Sequence, residues 1–400
     1  MSNIVLSDEQ QKFVDLCVQR YKDGQRITIL SSPAGTGKTV TLEFITKALG
    51  FSEGDYVYTS YTGQAVRMLR KKGCNPAMTI HHMIYEMRPM PNGTFYKIKR
   101  KTLPYKIIYI DEISMVPAEL LNDVMRYGIY IVAVGDAAQL PPIYKDQDNH
   151  MLDNPHWTLT KIFRQKEGNG ILDLATYVRT GGDLNNLKQF DDGQNVRVLN
   201  ANELSMGMLT WADEVLCATN NKRNSLNRTI RNYLNNGETG IPIEGDKIVI
   251  NRNYWDLVAE DSEEDALTNG LVGNIHNLRI EEIKLPLYNK NVKFKYLIAD
   301  FVDEIGKTWK DLRFDYQMFE KGEPTLSWKN NMELYKKAQY LIPVEALYGN
   351  VISTHKSQGN EWEKVLVIQE KWPTVEDEAR KHLYTAVTRA KEKLVLILKD

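Results

Sequence analysis

The run Ser32-Pro33-Ala34-Gly35-Thr36-Gly37-Lys38-Thr39 gathers two glycines, a lysine and a hydroxyl into one short stretch. A nucleotide's phosphates need convergent backbone N–H groups, and glycines let a chain curl close around them. Pro33, Ala34, Gly35, Thr36 and Gly37 would form that cradle. Lys38 would meet the β- and γ-phosphates of ATP, and the Thr39 hydroxyl would ligate Mg²⁺. Loops of this kind usually open on glycine. Ser32 stands there instead, at the end farthest from the phosphates, where the cost is modest. Downstream, Asp111 and Glu112 end an apolar run. Transfer of a phosphoryl group to water needs a metal anchor and a base for the attacking water. Asp111 suits the first role and Glu112 the second. Gln139, in Val134-Gly-Asp136-Ala-Ala-Gln139, carries a neutral amide that can bond the γ-phosphate and register its loss.

These groups act only if the chain brings them together. Arg26–Ser32 reads as a short buried strand, with the glycine loop and a helix to about Leu49 behind it. That order aims a helix N-terminus at the phosphates. Further strands are expected at Tyr56–Ser60, Lys106–Asp111 and Ile129–Val134. Short apolar strands separated by helical stretches imply a parallel sheet covered on both faces. The same grammar returns at Glu214–Thr219, followed by a helix over Asn220–Leu234 capped by Thr219 or Asn220. Strands at Val351–His355, Lys364–Gln369 and Lys393–Leu398 and a helix near Glu376–Thr388 complete it.

The expected fold is therefore α/β, with two parallel-sheet lobes. One spans residues 1–156, and the other is built from 157–250 and 346–400. Two insertions interrupt them. Residues 86–105 hold Asn92-Gly93, a two-residue hairpin turn. Residues 251–345 alternate in polarity and suit a small β-rich subdomain. Its acidic run (Asp256, Glu260, Asp261, Glu263, Glu264, Asp265) reads as a solvated loop.

Composition bounds the class. At 400 residues with 42% hydrophobic and 26% charged, the chain suits a soluble multidomain enzyme. Cys17, Cys74 and Cys217 are too few and too scattered for a disulfide framework or a zinc site. The N-terminus lacks a signal-peptide pattern and no apolar run would span a bilayer. The expected compartment is the cytoplasm, with no membrane partner. The net charge of −1 leaves a nucleic-acid partner to be argued from local patches.

SPAGTGKT, DEIS and GDAAQLPP, in this order, resemble motifs I, II and III of superfamily 1 helicases. Leu159-Thr-Lys-Ile-Phe-Arg164-Gln165 is similar to motif IV. Ile352-Ser-Thr-His-Lys-Ser-Gln-Gly-Asn-Glu361 is similar to motif V in its RecD-like form, and Leu383-Tyr-Thr-Ala-Val-Thr-Arg389-Ala to motif VI. Leu6-Ser-Asp-Glu-Gln10 resembles the Q motif. The set spans nearly the whole chain and looks most like the compact phage Dda-type enzymes of the 5′→3′ branch. The resemblance implies two RecA-like P-loop NTPase domains and an ATP- and Mg²⁺-dependent DNA helicase serving replication, recombination or repair. It also implies roles. Arg164 and Arg389 would be arginine fingers, Gln10 would read adenine, Glu361 would contact the ribose and Gly359 the phosphate end. A translocase that strips bound proteins with little unwinding, or an RNA-directed helicase, stays open beside it.

The implied partners are single-stranded DNA and single-/double-strand junctions, with single-strand-binding or replication proteins as further candidates; a monomer is expected. Residues 66–107 hold ten Lys or Arg (67, 70, 71, 72, 88, 97, 99, 100, 101 and 106) against the single acid Glu86. Such a surplus can neutralise phosphates. Thr59, Tyr61 and Thr62 lie in a segment similar to motif Ia, and His81 and His82 in one similar to motif Ib. With Thr354 and His355 of motif V they would contact the strand backbone. Dda-like relatives carry a small β domain between motifs Ib and II whose aromatic tip stacks on DNA and separates strands, and Phe95 or Tyr96, in the hairpin around Asn92-Gly93, could fill that place. The 251–345 insertion occupies the position of their SH3-like domain.

Overall fold

The computed structural model describes residues 5–89, 95–142, 148–163, 169–235, 240–260, 262–287, 290–325, 342–370 and 376–399. In the first lobe β1 (Ile27–Ser31), β2 (Tyr56–Ser60), β3 (Ala77–Thr79), β6 (Ile107–Asp111), β7 (Tyr130–Gly135) and β8 (Trp157–Thr158) form one sheet in the order β3-β2-β6-β7-β1-β8. Every pairing in it is parallel. The apolar runs explain this. Tyr109, Val132 and Val134 face a core shared with Phe13, Val14 and Cys17 of helix α1 (Asp8–Lys22) and Leu42 and Ile45 of α2 (Lys38–Ala48). Ile108, Ile110, Ile131 and Ala133 face the opposite core, against Ile80, Met83, Leu120 and Val124. Alternate residues are thus buried on both faces, which only a covered sheet permits. Helix α3 (Gly63–Lys71) follows β2, with Thr62 as its N-cap. Because β8 pairs with β1, the first sheet runs past residue 156.

β4 (Tyr85–Pro89) and β5 (Phe95–Lys99) form the expected antiparallel hairpin, with Arg88 opposite Tyr96 and Pro89 opposite Phe95. The Asn92-Gly93 turn and the side chains of Phe95 and Tyr96, the proposed strand-separating aromatics, lie outside the described residues.

The second lobe is another all-parallel sheet, built from β9 (Val196–Leu199), β10 (Glu214–Cys217), β18 (Val351–Ser353), β19 (Trp362–Ile368) and β20 (Ala390–Ile397) in the order β18-β10-β19-β20-β9. Val365 and Val367 pack toward helices Gly170–Arg179 and Glu376–Val387, while Leu366 and Ile368 pack toward Asn220–Leu234.

Between β10 and β18 sits the insertion. β11 (Lys247–Ile250), β14 (Val272–Leu287), β15 (Lys290–Asp303), β16 (Thr308–Asp315) and β17 (Ala346–Tyr348) make an antiparallel sheet in the order β16-β15-β14-β11-β17. The sheet reaches beyond 251–345 at both ends. The acidic run is not a loop, and this corrects the sequence expectation. It forms a hairpin of β12 (Tyr254–Ala259) and β13 (Ser262–Leu267), because Tyr254, Ala259 and Leu267 are buried in the insertion's own core.

Candidate nucleotide-binding active site

The glycine loop joins β1 to α2 as its pattern requires. Gly35 and Gly37 have φ of 83° and 81°, left-handed values that a side chain resists. Gly37 also lies against Gln10: a Cβ there would meet the Gln10 amide nitrogen at 2.5 Å. The departure at Ser32 has a local explanation. The Ser32 hydroxyl is buried and hydrogen-bonds Thr36 Oγ1, which also donates to the Pro33 carbonyl at 3.0 Å. The serine ties the loop from within and does not crowd the side where phosphates would bind.

Lys38 and Thr39 open α2 onto a cleft of about 300 Å³, which Asp111, Glu112 and Gln139 also line. Lys38 Nζ lies 3.5 Å from Glu112 Oε1. Glu112 is held at a left-handed φ of 55°. Its backbone N–H donates to Asp111 Oδ1 at 3.0 Å. Burial works against both carboxylates. For Asp111 burial prevails and its pKa is raised. For Glu112 the nearby cations Lys38, Arg389 and Lys72 overcome burial and hold it low, so it is ionised. Burial likewise opposes the Lys38 charge, but Glu112, Asp111 and Asp136 outweigh it and raise the lysine's pKa. Glu112 Oε2 and Gln139 Oε1 are buried and without a partner among the described residues. A native structure rarely leaves such atoms unpaired, except where a ligand is meant to meet them.

The far wall of the cleft belongs to the second lobe. Gly359, Glu361 and Arg389 line it. Arg389 is buried, and its guanidinium donates to the Thr385 and Asn360 carbonyls and to Thr388 Oγ1 at 3.0–3.2 Å. The loop after β7 is clasped from the same side. Tyr384 Oη donates to Asp136 Oδ2 at 2.6 Å, Gln358 Nε2 to the Leu140 carbonyl at 2.9 Å, and Leu140 N–H to Thr385 Oγ1 at 3.0 Å. Arg164 lies outside the described residues. Its neighbour Phe163 donates its N–H to the Gly35 carbonyl at 2.8 Å and is half-exposed at the cleft.

Gln10 already has partners within the first lobe. Its amide oxygen accepts from Ser7 N–H in a capping box, and its nitrogen donates to the Thr36 carbonyl. It braces the phosphate loop against α1. Conversely, Ala65, Met68 and Leu69 line the cleft and escaped the sequence reading, and Lys72, expected on the strand track, lines it with them. Their i, i+3, i+4, i+7 spacing is that of one helix face, and it was the available signal.

The strand residues fare less uniformly. Thr59 and Thr354 are fully buried, and their hydroxyls are spent on the Tyr109 and Cys217 carbonyls, so neither offers a hydroxyl to a phosphate. The Thr62 hydroxyl accepts from Ala65 N–H as the cap of α3. Tyr61 and His81 lie 5.8 Å apart by ring centroids, and His81 and Tyr85 6.0 Å, a short aromatic ladder at the end of the first sheet. His82 is exposed beside it. His355 lies 6.5 Å from His382, and burial lowers both imidazole pKa values, that of His382 to about 4.

Of the ten cations, Arg67 pairs with Asp303, Lys99 with Asp123 and Lys106 with Asp55, while Arg70 donates to the Ala77 carbonyl. Lys72 faces the cleft. The basic surplus is therefore smaller on the surface than in the sequence.

Residues 5–201 match the AAA domain family and residues 348–397 the UvrD-like helicase C-terminal domain. The chain is similar to the ATP-dependent DNA helicase RRM3 of Saccharomyces cerevisiae, at 27% identity over 216 residues, covering 45% of this chain and 28% of that protein. It is similar to the ATP-dependent DNA helicase dda of Enterobacteria phage T4, at 26% identity over 208 residues, covering 48% and 46%. Less than half of either relative's length is thus spanned. The structure of Bacteroides Pif1 bound to single-stranded DNA superposes over 98% of this chain and 92% of that one, with a TM-score of 0.56 at 19% identity. That likeness carries the fold: two RecA-like lobes with inserted β elements.

Proposed function

We propose that the chain is a superfamily 1 helicase of the Pif1, Dda and RecD kind, an ATP-driven motor that moves 5′→3′ along single-stranded DNA and unwinds duplex; its similarity to such helicases supports this. One observation carries the reading. Lys38 and Glu112 from the first lobe and Arg389 from the second line the same cleft. A nucleotide held there would touch both lobes, so its hydrolysis would alter how they fit together.

Within the cleft the Gly35–Gly37 backbone and Lys38 bind the phosphates. Glu112, ionised and with one buried oxygen unpaired, accepts a proton from the attacking water. Gln139 donates from its amide nitrogen to the terminal phosphate, and its buried, unpaired Oε1 is left to accept from the attacking water. Thr39 and Asp111 would hold Mg²⁺, which neutralises phosphate charge when bound. The fit is chemical: the buried Asp111 carboxylate, whose pKa is raised, gains from an adjacent cation. Arg389 counters charge developing on the γ-phosphate once it leaves its local carbonyl partners. Arg164 is proposed as a second finger. Phe163, an exposed aromatic at the mouth, suits stacking on the base.

The strand would run over the ends of both sheets, past the Tyr61–His81–Tyr85 ladder and His355, toward the hairpin of β4 and β5. The chain would act as a monomer in the cytoplasm. The deciding measurement is ATP-dependent strand release from duplexes with a 5′ or a 3′ single-stranded tail. The expected result is release from the 5′-tailed duplex alone, with ATP turnover raised by single-stranded DNA. Turnover that ignores DNA would overturn the motor.

A further inference from the structure

Helix α3 is touched from three sides. One face (Ala65, Met68, Leu69, Lys72) lines the nucleotide cleft. Its start meets the second lobe: a Cβ on Gly359 would sit 3.2 Å from Ala65 Cβ. Its remaining face is covered by the inserted sheet. Arg67 ion-pairs with Asp303, both side chains being at least nine-tenths buried, and its guanidinium stacks 5.0 Å from the Trp309 ring. Gly63 touches Thr268 so closely that a Cβ would lie 2.4 Å from its hydroxyl.

The turn after β15 reaches both lobes at once. Asp303 holds Arg67 of the first lobe, and the next residue, Glu304, accepts from the Trp362 indole of the second at 3.1 Å. This seam is tight yet incompletely matched. Arg67 Nη2, Thr268 Oγ1 and Trp309 Nε1 are all buried there without a partner among the described residues. Permanent interiors seldom leave three such atoms in one contact. A contact that is made and unmade tolerates them, since the separated state returns them to water.

We propose that this seam is a moving contact, latched by Arg67 and Asp303, and that nucleotide binding in the cleft and seating of the inserted sheet on α3 form one linked equilibrium. Arg67 is then a positioning residue: it sets the helix that walls the cleft without touching the nucleotide. The proposal rests on the cleft being the nucleotide site. By linkage, the seated sheet strengthens nucleotide binding by the same factor by which nucleotide strengthens the seam, so loosening the seam weakens nucleotide binding by up to that factor.

The test is titration of the full-length chain, in Mg²⁺, with a non-hydrolysable ATP analogue. Arg67→Met and Asp303→Asn should each weaken binding about 5-fold or more. The double variant should be no worse than either single one, the signature of a shared contact. Arg67→Lys should recover part of the loss. Gly63→Ala, which wedges the seam apart at Thr268 without removing a charge, should reproduce the effect if the charge variants fold poorly. Loss of melting temperature with unchanged analogue affinity would make the pair merely structural and overturn the proposal. Wild-type protein that binds no analogue would sink the nucleotide site itself and the linkage with it.

Discussion

The nucleotide cleft and the strand track share the first lobe, and both read as charged, glycine-bearing motifs. They differ in what the fold does with those charges. In the cleft Lys38, Asp111 and Glu112 converge, and buried acceptors on Glu112 and Gln139 stay unpaired. Along the proposed track, part of the charge is already engaged. Arg67, Lys99 and Lys106 already have carboxylate partners, and the Thr59 and Thr354 hydroxyls are bonded inside the sheets. A site for one small ligand concentrates its groups in a few contiguous residues. A polymer track spreads them thinly, and remote acids such as Asp303 and Asp123 compete for some of them.

Substitutions should expose that contrast. Lys38→Ala removes the cleft's central cation, and ATP turnover should fall by about 10³-fold, with strand binding nearly intact; phosphate release and a strand-binding titration check both. Glu112→Gln should cost about 10²–10⁴-fold in kcat while nucleotide affinity holds, measured by steady-state kinetics beside nucleotide titration.

On the second lobe, His382 links burial to pH. Its folded pKa is depressed to about 4 by burial and then by His355. The unfolded chain takes up a proton near pH 6.5, and the folded chain does so only near 4. Stability is therefore full above pH 6.5 and declines as pH falls toward 4, by at most about 3 kcal/mol. Denaturation of His382→Gln across that window should show a flatter pH profile. Tyr384→Phe leaves Asp136 without its interlobe donor and should lower kcat about 10-fold.

The smallest effects should come from the track. Lys101→Ala, at an exposed cation, should weaken strand binding a few-fold and reduce the salt slope by about 1. Lys106→Ala, whose charge is held by Asp55, should leave both unchanged. Equal losses in the two would restore the ten-residue patch as a unit.

The two sheets were legible because their strands are buried on both faces, and continuous apolar runs such as Ile107–Ile110 have few other fates. The cleft was legible because glycine, lysine and carboxylate spacing is fixed by the phosphate chain. Three things were not. Gln10 looks the same whether it meets a base or the Thr36 carbonyl. The acidic run looked like a loop because its buried residues, Tyr254, Ala259 and Leu267, are few and fall out of alternation where the hairpin's register shifts. The Lys72 wall was hidden among basic neighbours, since only helical phase separates it from Arg67 and Arg70. Partnerships between residues as remote as Arg67 and Asp303 leave no local trace at all.

The strand order of the second lobe has a consequence for how the protein is made. β10 lies between β18 and β19, and β9 is edged by β20. On a ribosome the first lobe can close as soon as β8 emerges. The second must wait with β9 and β10 both unpaired while the whole insertion is translated, and only β20 completes it. A nascent chain stalled before Val351 would carry one finished lobe and two strands without partners, the kind of intermediate that chaperones shield.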